Sequence, residues 1–175
     1  LQHQGEVDML EETYLKIISA KTAELFAAST KVGAILSDMK NKEKEALEFY
    51  GKNLGLTFQI ADDTLDYNSE LKLFGKKIGQ DFFEGKVTLP IILLFQKANN
   101  QEKEKLKNIF LKENRNENDL DYSLSLIKKY NVIELCYKKA EHYINLARNS
   151  LSLFDDCEEK NILENLTTFS LARNF

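Results

Sequence analysis

Proline is almost absent: Pro90 is the single one among 175 residues. Proline breaks helix interiors, and together with weak strand signals its scarcity points to an almost wholly helical protein. Cysteine is nearly as scarce. Cys136 and Cys157 make neither a CxxC pair nor a disulfide framework, so a reduced, cytoplasmic setting is expected. His3 and His142 stand apart from any other ligand-like cluster, which argues against a zinc site. No basic excess exists either: 24 lysines and arginines against 28 aspartates and glutamates leave a net charge of -4, unlike the basic footprint of a nucleic-acid binder. The longest strongly apolar run, VTLPIILLF, is far short of the roughly 20 residues that cross a bilayer. The polar start, LQHQGEVDML, lacks the apolar stretch of a signal peptide.

What remains suits one globular domain, with 43% hydrophobic and 30% charged residues. From about residue 7 to 38, Leu10, Tyr14, Ile17, Leu25, Ala28, Val32 and Ile35 recur at helical spacing. Position 21 interrupts that stripe with Lys21. An unpaired buried ammonium is costly, so Lys21 either snorkels to solvent or meets an anion. A second helix is expected over 42–67, with Leu47, Tyr50, Leu54, Phe58, Ala61 and Leu65 on its apolar side. Gln59, Asp62, Asp63 and Asp66 follow at i, i+3, i+4 and i+7, which assigns them one polar face.

Between Asn68 and Thr88, three glycines (Gly75, Gly79, Gly85) interleave with Lys72, Lys76, Lys77 and Lys86. A helix restarts after Thr88, a candidate N-cap, with Pro90 in its first turn. Further amphipathic helices are expected at about 101–113, 120–130, 132–153 and 157–173, with KENRNENDLD as a loop and Leu135, Tyr143, Ala147 and Leu151 at core spacing. The acidic DDCEE at 155–159 reads as helix capping, Asp155 and Asp156 preceding a helix start.

Three carboxylates on one helix face repel one another, so a cation should offset them. Hard oxygen ligands suit Mg²⁺, which keeps several waters and takes the rest of its shell from phosphate oxygens. The competing reading is a solvated acidic face. A glycine–lysine loop directly downstream and a lysine on another helix favour a magnesium-bridged diphosphate, whose departure metal and ammonium groups accelerate.

FQIADDTLDY followed by GKKIGQDFFEGKVTLPIIL resembles the second aspartate-rich motif and lid segment of the trans-isoprenyl diphosphate synthases, the polyprenyl synthetase family. YLKIISAKTAELFAAS resembles that family's upstream helix with its Lys-Thr pair, and SLARNF the end of its chains. The wording is most similar to the long-chain, octaprenyl type. The resemblance implies an all-α helical bundle of the isoprenoid synthase type and Mg²⁺-dependent condensation of an allylic prenyl diphosphate with isopentenyl diphosphate. Asp62 would be the principal Mg²⁺ ligand, with Asp66 beside it and Asp63 part of the motif. Lys21, Lys77 and Lys86 would bind the allylic diphosphate as catalytic cations. Thr22 and Gln59 would add hydrogen bonds, and Asp81 matches the acidic position of the lid.

The same resemblance marks residues 1–175 as the C-terminal half of a domain. The family's first aspartate-rich motif, isopentenyl diphosphate site and chain-length floor do not occur in this sequence. GEVDML resembles the end of the preceding half, although Asp8 and Met9 depart from its pattern. The chain opens on Leu1 rather than Met, and a piece of a longer or split product is expected. Activity then requires a homodimer or a heteromer with a chain supplying the first motif. The alternatives are a non-catalytic, regulatory subunit and an inactive fragment whose exposed half-core aggregates.

Overall fold

The computed structural model describes residues 9–68 and 78–172, and among them every regular element is helical. In chain order these are α1 (Glu11–Ile18), a π turn (Ser19–Ala23), α2 (Glu24–Leu36), α3 (Asn41–Leu65), α4 (Gln80–Phe83), α5 (Leu89–Lys97), α6 (Asn100–Phe110), α7 (Glu117–Lys129), α8 (Val132–Ser150), a 3-10 turn (Leu151–Leu153) and α9 (Glu158–Ala172). Among the described residues no helix is long and apolar enough to cross a membrane. Two compact units emerge. The first holds the described residues up to Tyr14 and from Asp62 to Cys136; the second holds Leu15–Ala61 and the described residues from Tyr137 onward.

The helix expected over 7–38 contains the π turn at its middle, and this overturns the expected stripe. Tyr14, Ile18, Ala23, Ala27 and Ala34 are the buried residues. Their five-residue step, from Ile18 to Ala23, spans the π turn, where i→i+5 bonding fits an extra residue into the helix. Everything downstream is rotated relative to an uninterrupted α-helix. Leu25, Val32 and Leu36 are therefore 71%, 51% and 82% exposed, Ala28 and Ile35 face outward with them, and Lys21 is exposed rather than a gap in a buried row.

In the second unit, Tyr50, Leu54, Ala147 and Leu151 form a core against which Phe26, Leu47, Phe154 and Leu163 pack. The Tyr50 hydroxyl donates to the Leu163 carbonyl at 2.8 Å, and the Thr57 hydroxyl lies 3.3 Å from the Ala140 carbonyl. Gly51 and Gly55 let α3 approach closely. A Cβ on Gly55 would lie 2.6 Å from the Cα of Ala23, and one on Gly51 would lie 2.5 Å from the Phe26 carbonyl oxygen. From Tyr50 to Ala61, α3 is buried at nearly every position, so its apolar stripe is wider than the one-sided pattern expected.

The first unit is built around aromatic edges. Phe82 meets Phe110 edge-on at 5.4 Å, and Phe95 meets Phe110 at 6.3 Å. Its helices α6 and α7 both begin with capping boxes, Asn99 with Glu102 and Asn116 with Asp119. The second box starts α7 at Glu117, inside the stretch expected to be loop, because Asn116 satisfies the first-turn N–H groups. Thr88 stands at the α5 N-cap with extended backbone but makes no side-chain cap bond, while Pro90 does fall in the first turn.

The acidic stretch at 155–159 is resolved differently from expectation. Cys157, immediately before α9, accepts the Lys160 N–H on its sulfur at 3.4 Å. Asp156 instead pairs with the Lys160 ammonium at 2.8 Å, so the cap is the cysteine and not an aspartate. Ala147 on α8 and Leu151 in the 3-10 turn after it are buried as expected, whereas Leu135 and Tyr143 on α8 are only half-buried beside Cys136, Ala140 and Ile144.

Candidate functional site

The three aspartates of α3 do not share one environment. Asp62 is exposed. Asp63 is 7% exposed, and its Oδ2 accepts a hydrogen bond from the Tyr14 hydroxyl at 2.7 Å. Burial, then the adjacent Asp63 carboxylate, hold the Tyr14 hydroxyl well above the ordinary tyrosine range, so it stays a donor. Asp66 is 8% exposed. Its Oδ1 accepts the Gln80 N–H at 3.1 Å and its Oδ2 accepts the Asp81 N–H at 2.8 Å. Asp66 thus caps α4, satisfying donors that the helix start leaves open, and it fixes where the following turn begins.

That turn carries Asp81 and Lys86. Gly79 has φ +83° and donates its N–H to the Asp66 carbonyl at 2.9 Å. A side chain in that left-handed conformation would be strained, and a Cβ there would also meet Leu120 at 2.8 Å. The Lys86 N–H returns to the Asp81 carbonyl at 2.9 Å, closing the turn. Its ammonium pairs with Glu84 at 2.6 Å and Asp81 at 2.9 Å. These two carboxylates, Glu84 first, push the Lys86 pKa up, so it is a permanent cation at any physiological pH. Lys77, the other lysine expected here, lies outside the described residues, as do Lys72, Gly75 and Lys76.

In the second unit, Thr22 sits in the π turn and Gln59 on α3. The Thr22 hydroxyl donates to Gln59 Oε1 at 2.7 Å. Gly55, one turn before Gln59, permits the close approach of Ala23 that brings the pair into contact. Thr22 and Gln59 are therefore brought together as partners. Lys21, next to Thr22, is exposed. π turns recur at functional sites because they displace side chains from a helical register.

A magnesium ion fits the donor chemistry only in part. Among the described residues, no three His, Cys, Asp or Glu side chains form a preformed metal cluster. Asp63 and Asp66 are engaged by Tyr14 and the α4 backbone, which leaves Asp62 as the exposed carboxylate of the motif. One carboxylate suffices for an ion that keeps waters and takes phosphate oxygens for the rest.

The parts of Tyr14 and Gly55 in the site were missed in the sequence, although one signal was available. Two glycines four residues apart inside a helix cost about 1 kcal/mol each, which is a hint of close packing. Nothing local flags Tyr14 as the partner of a residue 49 positions away.

Comparison with known proteins agrees with this architecture. The polyprenyl synthetase family model matches residues 1–127. A short chain isoprenyl diphosphate synthase from Methanothermobacter thermautotrophicus is 33% identical over 97% of this chain and 52% of its own length. The crystal structure of a decaprenyl diphosphate synthase from Rhodobacter capsulatus superposes with a TM-score of 0.92 at 32% identity, covering 99% of this chain and 54% of that one. A polyprenyl synthase from Caulobacter crescentus, complexed with calcium and isoprenyl diphosphate, gives a TM-score of 0.91 at 35% identity over 99% of this chain and 53% of that one. The chain thus spans about half the length of the relatives it matches. It has the all-α fold of the isoprenyl diphosphate synthases and belongs to the polyprenyl synthetase family.

Proposed function

We propose that this chain supplies the C-terminal half of a magnesium-dependent trans-prenyltransferase domain, working in the cytoplasm with a polypeptide that carries the first aspartate-rich motif. The partner is either a second protomer of a larger assembly or a separate chain. The reaction joins an allylic prenyl diphosphate to isopentenyl diphosphate. The allylic C–O bond breaks and diphosphate leaves with the electron pair. The isopentenyl double bond then forms the new C–C bond, and a proton is lost.

Within that reaction Asp62 offers the carboxylate to Mg²⁺, which when bound neutralises the leaving diphosphate. Asp66 holds the Asp81–Lys86 turn and Asp63 anchors α3 to Tyr14, so both act as framework around Asp62. Lys86, with Lys21 and Lys77, binds the allylic diphosphate, and the Thr22–Gln59 pair orients it. The matched relatives carry short-chain and decaprenyl names alike, and the octaprenyl-like wording of the motifs favours a long product.

The observation that carries this reading is the exposed Asp62 in a motif whose other two carboxylates the fold has already engaged. The test combines this chain with a polypeptide carrying the family's first half, Mg²⁺, geranyl diphosphate and labelled isopentenyl diphosphate. Prenyl transfer is expected, with Asp62→Ala reducing it on the order of 100-fold or more, the scale of losing one group that stabilises developing charge. Transfer that survives Asp62→Ala unchanged favours the non-catalytic subunit, a reading that the exposed apolar face of α2 would serve as a docking surface.

A further inference from the structure

Arg115 lies in the short connection before α7, outside the aspartate-rich motif and the lid segment in sequence. Its Nη2 donates to the Phe110 carbonyl at 2.9 Å, at the end of α6, and its Nη1 donates to the Phe83 carbonyl at 3.2 Å, at the end of α4. The guanidinium carbon stands 5.4 Å from the centre of the Phe110 ring. It also fills the space beside Gly85, which has φ +74°, and a Cβ there would lie 2.6 Å from Nη2.

Burial pulls the Arg115 pKa down, and the charge of Asp119 offsets only part of that effect. A half-buried guanidinium gives up part of its hydration and needs acceptors in return. What it gains is the pair of carbonyls, both at helix C-termini, where a cation is favoured. The Phe83 carbonyl belongs to the turn that carries Lys86, in which the N–H groups of Phe83, Gly85 and Lys86 all bond back within residues 79–82; the Phe110 carbonyl belongs to α6. Asp66 holds the start of that turn and Arg115 holds its end.

We propose that Arg115 is a positioning residue for Lys86. By tying the Phe83 carbonyl to the end of α6 and packing against Gly85, it fixes the direction in which Lys86 leaves the turn. The functional half of this proposal rests on the reading of Lys86 as a diphosphate-binding cation; the structural half does not.

The experiment uses the full chain with Arg115→Met, Arg115→Lys, Lys86→Ala and the Arg115→Met/Lys86→Ala double variant, each checked for helix content. Amide hydrogen exchange at residues 83–86 should accelerate about tenfold in Arg115→Met, while the α7 amides stay unchanged, since local opening reports local anchoring. Arg115→Lys, which keeps the charge but reaches one carbonyl, should fall between. Calorimetric titration with Mg²⁺ and inorganic diphosphate should show weakening of about fivefold for Arg115→Met and for Lys86→Ala, and the double variant should bind no more weakly than Lys86→Ala alone, the signature of coupled residues. Unchanged exchange in folded Arg115→Met overturns the proposal. Losses that multiply in the double variant overturn its functional half. A wild-type chain that binds no diphosphate, with the exchange response intact, instead removes the diphosphate reading and leaves Arg115 as the anchor of the turn. Should Arg115→Met fail to fold, Arg115→Lys must give a local acceleration at residues 83–86 or the proposal fails.

Discussion

In the unit that runs from Asp62 to Cys136, polar groups organise the backbone: Asp66 caps α4, Lys86 joins Asp81 to Glu84, and Asn99 and Asn116 open two helices. In the unit that holds Leu15–Ala61, close apolar packing does the organising, through glycines on α3 and the Tyr50 core. That second unit also leaves large apolar side chains outward. They include Leu25, Val32, Ile35 and Leu36 on α2, and Ile162, Leu166 and Phe169 on α9. The contrast teaches that the two units are complete in different senses. One orders its backbone through polar side chains, while the other has apolar surface of the kind that partners cover.

The contrast is open to attack at four points. The largest effect is expected at Tyr14→Phe, which removes the donor to Asp63 in the first unit. A hydrogen bond to a charged group contributes about 1.5–3 kcal/mol, and urea unfolding should show a loss of that order. A smaller one is expected at Gly55→Ala in the second unit. Overpacking against the Ala23 backbone costs about 1–3 kcal/mol, offset by about 1 kcal/mol of helix propensity; the urea midpoint should still fall. A midpoint that rises would mean that packing in this unit is looser than the geometry indicates.

Acid should then act on the first unit through Glu102. Lys129, Tyr130 and the Asn99 N–H hold its carboxyl down at about 2. A depressed carboxylate contributes stability that is fully present above its unfolded pKa, near 4.3, and is lost as pH falls through the folded value. Thermal melts of wild type should therefore drop between about pH 4 and pH 2 more steeply than those of Glu102→Gln. The smallest effect is expected at Leu36→Gln on the outward face of α2, where an exposed substitution stays within about 0.5 kcal/mol. A clear loss there would show that this face is already covered in solution.

Much of the fold could be read from the sequence, because helical periodicity and capping chemistry are local. The extents of α3, α8 and α9 follow from spacing alone, and the aspartate motif and its lysine turn are contiguous in the chain. The faces of α2 were not legible. A π turn is one extra residue that leaves no compositional trace, and the apolar row Leu25, Ala28, Val32 and Ile35 is self-consistent whichever way it points. The separate surroundings of Asp62, Asp63 and Asp66 depended on partners at Tyr14 and Gln80–Asp81, set by packing and not by spacing. Arg115 was invisible for the same reason, since its two acceptors are backbone carbonyls that any residue could provide.

The π turn at Ser19–Ala23 has an evolutionary corollary. A helix that absorbs one inserted residue stays hydrogen-bonded, yet exchanges the side chains it shows to its surroundings. Loss of a single codon from this stretch would turn the apolar row of α2 by roughly 100°, inward or outward, without any amino-acid replacement. The capacity of this helix to present an apolar face or to bury one is thus governed by a reading-frame-preserving indel of three nucleotides, a change that residue-by-residue comparison would score as a trivial gap.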